Sequence, residues 1–319
     1  ITLYYNEAMN LQQLRFICEV ERQGLSMSLA ARALHTSQPG VSKQVRLLEE
    51  ELGVRIFERN GKRLTGVTLP GRTILAQAAE ILRDIQNIKQ VGTEYTHEAA
   101  GSLALATTHT QARYALPPTI QKFTQRYPQV NLHIHQGNPT QVAEMVEQGK
   151  ADIGIATEAL ALHPALVVMP CYQWNHCVVA LPGHPVLQQT PLTLATLASY
   201  PLVTYDFAFA GRSHINKAFD AEGLTPNIVL TALDSDVIKT YVELGLGVGL
   251  LANMAFEPER DRNLRMVDAA HLFAASTTSI AVRRGSFLRG YQYAFIELFA
   301  THLMRAAVDH ALQSPKKEA

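Results

Sequence analysis

Hydroxyl and amide side chains gather where one predicted strand ends and a helix begins. Thr108, Thr110 and Gln111 follow the apolar run 102–107, with His109 among them. The N-terminus of a helix presents backbone N–H groups and the positive end of its dipole, so it binds anions without needing a cationic side chain. This segment therefore predicts a site for a small polar or anionic ligand.

Two further predicted strand ends bring polar side chains toward the same place. Thr157 and Glu158 follow the buried strand 153–156, and Thr204 lies at the end of the strand 202–205. Ligands of parallel α/β sheets bind at the carboxyl ends of the strands. Routine helix capping explains any one of these threonines equally well. The convergence of several strand ends favours a ligand site.

The chemistry of a catalyst is missing from this pattern. His109 beside Thr110 resembles a base next to a nucleophile, but the sequence shows no acid to orient the histidine. It also contains no G-x-S-x-G elbow, no phosphate-binding loop and no HExxH zinc motif. We therefore predict that the protein is not an enzyme and holds no metal or tightly bound cofactor.

The cysteines indicate a reducing environment. Cys18, Cys171 and Cys177 are too few for a disulfide framework, and the last two lack zinc-ligand spacing. We interpret them as buried apolar thiols. The triplet of glycines at 245, 247 and 249 follows a helix instead of a strand, so it predicts close helix-to-strand packing and not a dinucleotide site.

A second set of polar side chains lies on a helix predicted at 38–52. Val41, Val45, Leu48 and Leu52 form its apolar face, and Gly53 ends it. The polar side and its N-terminus carry Ser37, Gln38, Pro39, Ser42, Lys43 and Arg46. Gln and Ser side chains hydrogen-bond base edges, while Arg and Lys bind guanine or phosphate. This helix is therefore predicted to read the major groove of DNA.

Its neighbours complete a winged helix-turn-helix. Two shorter helices precede it, and the dipeptide Asn60-Gly61 predicts a hairpin tip bordered by Arg59, Lys62 and Arg63. Residues 9–68 carry nine basic and six acidic side chains, whereas the whole chain carries 28 of each. A small helical domain with a solvated basic face is the alternative. The helix-turn-helix and the hairpin together favour DNA binding.

One long helix is predicted after the hairpin, at 69–98. Its apolar positions repeat at intervals of seven residues, which is typical of a coiled coil. The proposed dimerisation face consists of Ile74, Ala78, Ile81, Leu82, Ile85 and Ile88. The alternative is a helix packed on its own domain. A dimer also suits DNA, because paired modules bind paired half-sites.

The 319 residues suggest about two domains. Strands and helices alternate from residue 101 onward, which predicts a mainly parallel, doubly wound α/β module that ends in a long helix at 291–312. Residues 1–8 lack a signal-peptide pattern, so we interpret them as a remnant outside the fold; 314–319 form a polar tail. No apolar run is long enough to span a membrane, and we expect a cytoplasmic protein.

The motifs resemble a known family. Residues 30–31, 36–45, 48–53 and 56–57 resemble the LysR-type transcriptional regulators. Residues 106–117, 155–159, 170–175, 236–242 and 245–249 further resemble the CysB branch of that family, which activates sulfur assimilation and cysteine synthesis. The resemblance extends over nearly the whole chain from Met9.

The resemblance implies an architecture and partners. It implies an α/β protein with a winged helix-turn-helix at 9–68, a dimerising helix at 69–98 and a two-lobed effector domain at 99–313. That domain would resemble periplasmic binding proteins, with lobe I at 99–172 and 273–313 and lobe II at 173–272. It further implies a homodimer or homotetramer that binds promoter DNA and contacts RNA polymerase.

The resemblance also implies effectors and their pocket. Sulfate, thiosulfate, N-acetylserine or O-acetylserine would bind at Thr108, Thr110, Gln111 and Thr157, with Glu158 and Trp174 as neighbours. The branch usually has a pocket threonine where this chain has Ala210. Loss of one hydrogen bond to a charged group costs about 1.5–3 kcal/mol, so the anion preference can differ.

Rival functions fit the sequence less well. A solute-binding protein would explain the α/β lobes but not residues 9–68. Within the regulator class, the alternative is a LysR-type regulator that responds to a different small anion or organic acid.

Overall fold

A computed structural model describes residues 9–61, 63–96, 100–206 and 210–314. The chain forms two compact units, Ile1–Thr93 and Glu94–Ala319. Several sequence predictions fall outside the described residues: the remnant at 1–8, Lys62 at the hairpin tip, the end of the long helix at 97–98, and the tail at 315–319.

Helices and one hairpin make up the N-terminal unit. Its elements are α1 (Leu11–Arg22), α2 (Met27–Ala33), α3 (Gln38–Leu52), β1 (Phe57–Asn60), β2 (Arg63–Val67) and α4 (Leu69–Thr96). The predicted caps of α3 are confirmed. The Ser37 hydroxyl accepts a hydrogen bond from the Gly40 N–H at 3.2 Å, and Gly53 ends the helix at φ +68°.

The apolar face of α3 is buried in the core of this unit. Val41, Val45 and Leu48 are fully buried there together with α1 side chains such as Ile17. Leu52, predicted on the same face, is 37% exposed because the helix ends beyond the edge of that core. Burial of this face leaves the polar side of α3 outward.

Two five-stranded sheets form the framework of the second unit. The first has the order β4-β3-β5-β12-β6 and the second the order β11-β7-β10-β8-β9. The first contains β3 (Ala100–Thr107), β4 (Gln129–Gln136), β5 (Ile153–Ala156), β6 (Leu166–Trp174) and β12 (Ser276–Arg283). The second contains β7 (His176–Ala180), β8 (Leu202–Tyr205), β9 (Ile228–Ala232), β10 (Val248–Ala252) and β11 (Arg265–Asp268).

Both sheets are mixed, which corrects the prediction of a mainly parallel sheet. Strand β3 pairs in parallel with β4 and β5, and β8 with β9 and β10. Strand β12 is antiparallel to β5 and β6, and β7 is antiparallel to β10 and β11. The chain enters each sheet from the other through β7 and β12 without a crossover helix. These two strands therefore run opposite to the strands beside them.

Helices flank the sheets. They are α5 (Leu116–Arg126), α6 (Pro139–Glu147), α7 (Leu194–Ala198), α8 (Ala210–Ala221), α9 (Ser235–Glu243), α10 (Gly290–Phe299) and α11 (Arg305–Gln313). A π-helical turn at Gln111–Ala115 precedes α5. Pro117 and Pro118 have no N–H to continue the usual ladder at this point.

The prediction of one continuous helix at 291–312 is wrong. Residues 300–304 interrupt it, with Ala300 and Met304 both in extended conformations. The break redirects the chain so that Phe295 of α10 and Val308 of α11 are buried in the same core. Two shorter helices therefore account for the apolar pattern at 291–312.

We call the first sheet with its helices lobe I and the second sheet with its helices lobe II. The chain passes from lobe I to lobe II at Asn175, between β6 and β7, and returns between β11 and β12. The Asn175 carbonyl accepts a hydrogen bond from the Asn253 N–H at 2.9 Å. The crossing is thereby tied to lobe II.

Two of the three glycines after α9 pack closely as predicted, whereas a Cβ at Gly245 would meet no described atom within 4 Å. A side chain at Gly247 would collide with the Pro201 carbonyl, and a Cβ at Gly249 would lie 2.6 Å from a Val179 methyl. Among the described residues, no helix is both long and apolar enough to cross a membrane.

Candidate DNA-binding surface and effector site

The outward side of α3 is the candidate DNA-binding surface. Ser37, Gln38, Pro39, Lys43 and Arg46 are exposed, and Ser42 is half-buried. Arg46 lies 3.4 Å from the Glu50 carboxylate, but both side chains are more than 60% exposed. Such a surface ion pair is weak, so Arg46 can exchange Glu50 for a phosphate or a base.

Glu49 links this helix to the hairpin. Its Oε1 accepts hydrogen bonds from the Ile56 and Phe57 N–H groups at 2.9 and 3.2 Å, and its Oε2 accepts one from Arg59 at 2.9 Å. The Arg59 guanidinium, predicted to contact DNA, is therefore anchored to α3, whereas Arg63 is exposed. The sequence pattern did not single out Glu49, although it lies one turn after the buried Val45.

Lobe I brings together several predicted effector residues. Thr108 and Gln111 are buried just after β3. The Gln111 amide donates to the Thr278 hydroxyl at 3.1 Å and accepts from the Tyr172 hydroxyl at 2.5 Å. The Trp174 indole N–H donates to Thr278 at 3.2 Å. Gln111 and Trp174 thus meet through Thr278.

Lobe II faces this cluster with hydroxyl groups of its own. The Thr110 Oγ1 lies 3.4 Å from the Ser235 Oγ, at the first residue of α9. The Ser235 Oγ is 2.7 Å from the Tyr205 hydroxyl oxygen, which accepts from the Ala252 N–H at 3.0 Å. Ser235 and Tyr205 are buried, and sequence reasoning missed both.

A second link between the lobes involves Glu158. Its carboxylate accepts a hydrogen bond from the Thr277 N–H at 2.7 Å and lies 3.6 Å from Nε2 of His214 on α8. Thr157, the preceding residue, is buried at the end of β5. Glu158 therefore contacts lobe II from lobe I.

Of two further predicted effector residues, Thr204 is placed differently and Ala210 is not tested. The Thr204 hydroxyl donates to the Leu250 carbonyl at 3.0 Å, so its hydrogen is used within the second sheet and is not available to an anion. Ala210 begins α8, but its side chain lies outside what the structure describes.

A partly buried ionic network lies beside the hydroxyls. The Tyr114 hydroxyl donates to Asp236 at 2.5 Å, and the Lys239 ammonium donates to Tyr114 and Asp261 at 2.9 Å. Burial alone would lower the pKa of Lys239, but its hydrogen bonds with Tyr114 and Asp261 outweigh burial and raise it. Tyr114 precedes α5 in lobe I, so the network also ties the two lobes.

His109 is turned toward this network. Its Nε2 lies 3.7 Å from Asp236, an acid that sequence reasoning did not place there. Potential ligand atoms of His109, Asp234 and Asp236 lie within 4.8 Å of one another. We assign no metal to them, because Asp234 caps α9 by accepting from the Val237 N–H, and the Lys239 cation is 3.3 Å from Asp236.

Only part of the predicted dimerisation face of α4 is exposed. Ala78 is 2% exposed, and Ile74 and Leu82 pack against the core of the N-terminal unit. Ala78 therefore offers no surface to a partner, which corrects its assignment. Ile81 and Ile88 are 39% and 71% exposed, and Ile85 is half-buried between them on the same face.

Known proteins share both parts of this arrangement. The bacterial regulatory helix-turn-helix model of the lysR family matches residues 11–72, and the LysR substrate binding domain model matches residues 96–304. The HTH-type transcriptional regulators CysB and SsuR of Burkholderia cenocepacia are 53% and 51% identical to the chain. The matches cover 96% and 94% of this chain and 97% of each relative.

A solved structure agrees with these matches. The cofactor-binding domain of the Cbl transcriptional regulator is 44% identical, with a TM-score of 0.65, and the match covers 67% of this chain and 95% of that one. These relatives are named as transcriptional regulators and not as enzymes. The chain therefore belongs to the LysR family of DNA-binding transcriptional regulators.

Proposed function

We propose that this LysR-type regulator is switched by a small oxyanion or acetylated serine bound between the lobes of its effector domain. It regulates genes of sulfur assimilation and cysteine biosynthesis, and its effectors are sulfate, thiosulfate, N-acetylserine or O-acetylserine. The observation that supports this proposal most directly is that the hydroxyl oxygens of Thr110 and Ser235 face each other from the two lobes at 3.4 Å.

The chemistry of the cleft supports such a ligand. Thr108, Thr110 and Gln111 stand at the start of a helical segment, where N–H groups favour anions. The Ser235 hydroxyl adds an uncharged donor from lobe II, and the Trp174 indole lies beside the site through its hydrogen bond to Thr278. A carboxylate or oxyanion accepts several such hydrogen bonds at once, and bonds to a charged group are roughly twice as strong as neutral ones.

A ligand held by both lobes would change their relative position. Closure around it favours one lobe arrangement in proportion to its differential affinity. The change would reach paired winged helices through a dimer or tetramer, alter promoter binding, and adjust contact with RNA polymerase. The protein then acts in the cytoplasm, with a reversible effector in place of a tightly bound cofactor.

Thermal unfolding with each effector tests this proposal. A ligand present at about 100 times its dissociation constant adds roughly 2.7 kcal/mol of stability. We expect stabilisation by at least one of the four effectors, a fluorescence change of Trp174, and no effect of chloride. Stabilisation by a different organic acid alone would support the alternative regulator, which the alanine at position 210 makes worth testing.

A further inference from the structure

Ser276 is a buried hydroxyl with no hydrogen-bond partner among the described residues. It is fully buried at the start of β12, and its Oγ contacts no described donor or acceptor within hydrogen-bond geometry. Buried side-chain hydroxyls in native proteins are nearly always paired, with the protein, with water or with a ligand. The Ser276 hydroxyl therefore lacks a partner among the residues that the structure describes, and a bound ligand can supply one.

Strand register places Ser276 on the face that carries the effector site. It pairs directly with Trp174 across the antiparallel strands β12 and β6, and Thr278 pairs with Tyr172. Directly opposed residues share a face, as do residues two apart on one strand. Ser276 and Thr278 thus face the same way as Trp174 and Tyr172, and Gln111 hydrogen-bonds to both Thr278 and Tyr172.

The position along the chain also leads to the cleft. Ser276 is the first residue of β12 after the chain returns from lobe II. The next residue, Thr277, donates its N–H to Glu158, whose carboxylate lies 3.6 Å from His214 of lobe II. Ser276 is therefore next to one of the contacts that join the lobes.

Nearby buried hydroxyls show what a satisfied one looks like. The Thr107 hydroxyl donates to the Ile155 carbonyl at 2.8 Å, and the Thr204 hydroxyl donates to the Leu250 carbonyl at 3.0 Å. Both hold neighbouring strands together. Ser276 has no such backbone acceptor in the described chain.

We propose that Ser276 is an effector-contacting residue that donates its hydroxyl hydrogen to an acceptor oxygen of the bound oxyanion, carboxylate or acyl group. This inference rests on the proposed function and adds a residue from β12 to the site. A hydroxyl that is paired only when ligand is present contributes to affinity and not to the stability of the empty protein.

Two variants of the full-length protein separate these roles. Ser276→Ala removes the unpaired hydroxyl, and Thr107→Val removes a paired one of similar burial. We would measure sulfate and N-acetylserine binding by calorimetry and unliganded Tm for both. Ser276→Ala should leave Tm unchanged or slightly higher and raise the Kd roughly 10- to 100-fold. Thr107→Val should lower Tm and leave the Kd within about twofold.

The outcomes are distinguishable. If the wild-type protein binds neither probe, sulfate and N-acetylserine fail as effectors and this inference fails with them. If the wild-type protein binds and Ser276→Ala binds equally well, the inference alone is overturned. A lower Tm of Ser276→Ala with unchanged Kd would show that a buried water satisfies the hydroxyl, which also overturns it. Ser276→Cys, a weak donor of similar size, should have an intermediate Kd.

Discussion

Glu49 accepts three hydrogen bonds, and no sequence motif predicts them. Its carboxylate accepts two buried backbone N–H groups at the start of the hairpin and the Arg59 guanidinium. Each donor left unsatisfied after burial costs about 1–3 kcal/mol. Glu49→Ala should therefore reduce the free energy of unfolding of the N-terminal unit by about 3 kcal/mol in urea denaturation followed by circular dichroism.

The neighbouring Glu50 is the matched control. Its carboxylate is 62% exposed beside Arg46, so Glu50→Ala should change the unfolding free energy by less than about 0.5 kcal/mol. Equal effects of the two substitutions would contradict the role given to Glu49.

We expect the three cysteines to react slowly, although only Cys177 is fully buried and Cys18 and Cys171 are half-buried, which corrects their interpretation as buried thiols. Burial raises the pKa of Cys18 to about 11 and those of Cys171 and Cys177 to about 12. Because the thiolate is the reactive form, the folded protein should react slowly with a disulfide reagent at pH 8. In urea all three thiols should react at once. Rapid modification of two thiols in the native protein would exclude this account of their burial.

Residue types predicted part of the effector site, and tertiary contacts supplied the rest. Thr110, Gln111 and Trp174 were predicted from a loop signature and a family resemblance, and the structure brings the last two together through Thr278. Thr278 lies 167 residues from Gln111 and 104 residues from Trp174, and Ser235 lies 125 residues from Thr110. Nothing in the local pattern of a strand or helix start distinguishes such residues from ordinary ones.

At the scale of the element, α4 changes its role along its length. One face of its first turns, with Leu75 and Ala78, is buried in the N-terminal unit, and its later turns expose Ile81 and Ile88. An apolar stripe of this kind favours pairing with a second helix. Ile88→Lys should weaken self-association at least tenfold in sedimentation velocity, since burial of a lysine opposes the pairing.

Gln86→Lys is the control on the same helix. Gln86 is exposed and lies two residues from Ile88, on a different side of the helix. It should leave the association constant within about twofold. Dissociation by both variants would point to a general effect of charge and not to the isoleucine stripe.

Strand and helix positions followed from hydrophobic periodicity, but strand direction did not. The predicted strands 153–156 and 202–205 coincide with β5 and β8. Hydrophobic periodicity is the same in parallel and antiparallel sheets. The sequence pattern therefore did not predict the antiparallel pairing of β12 with β5 and β6. The break at 300–304 was missed because apolar residues occur at helical spacing on both sides of it.

At the scale of the whole molecule, the contact between lobes depends on neutral tyrosine. Burial and the hydrogen bond to Asp236 raise the pKa of Tyr114 to about 12, against the lowering effect of Lys239. The folded protein keeps this proton up to about pH 12, whereas the unfolded chain loses it near pH 10. Stability is therefore present below pH 10 and falls as the pH rises toward 12.

Tyr114→Phe tests this dependence. It should lower stability at neutral pH, because Lys239 and Asp236 lose a partner, and it should flatten the decline between pH 10 and 12. Urea denaturation over that range measures both effects. Tyr241→Phe, at an exposed position of α9, should retain the wild-type slope. An unchanged slope in Tyr114→Phe would assign the decline to other groups.

DNA binding and effector response should separate by domain. Arg46→Ala should weaken promoter binding roughly tenfold, through loss of a phosphate or base contact. Thr110→Ala should keep promoter affinity but abolish the change in affinity on effector addition, since it removes the hydroxyl that faces Ser235. Fluorescence anisotropy with labelled promoter DNA measures both. Identical losses in the two variants would contradict this division.

The crossing at Asn175 limits how the effector domain can move. A single residue separates β6 of lobe I from β7 of lobe II, and its carbonyl is held by Asn253. So short a tether permits rotation but hardly any separation at that point. A ligand bound close to Asn175 would therefore move the neighbouring groups only a short distance as the lobes rotate. The same rotation would move the far edges of both lobes over a longer arc than the groups near Trp174.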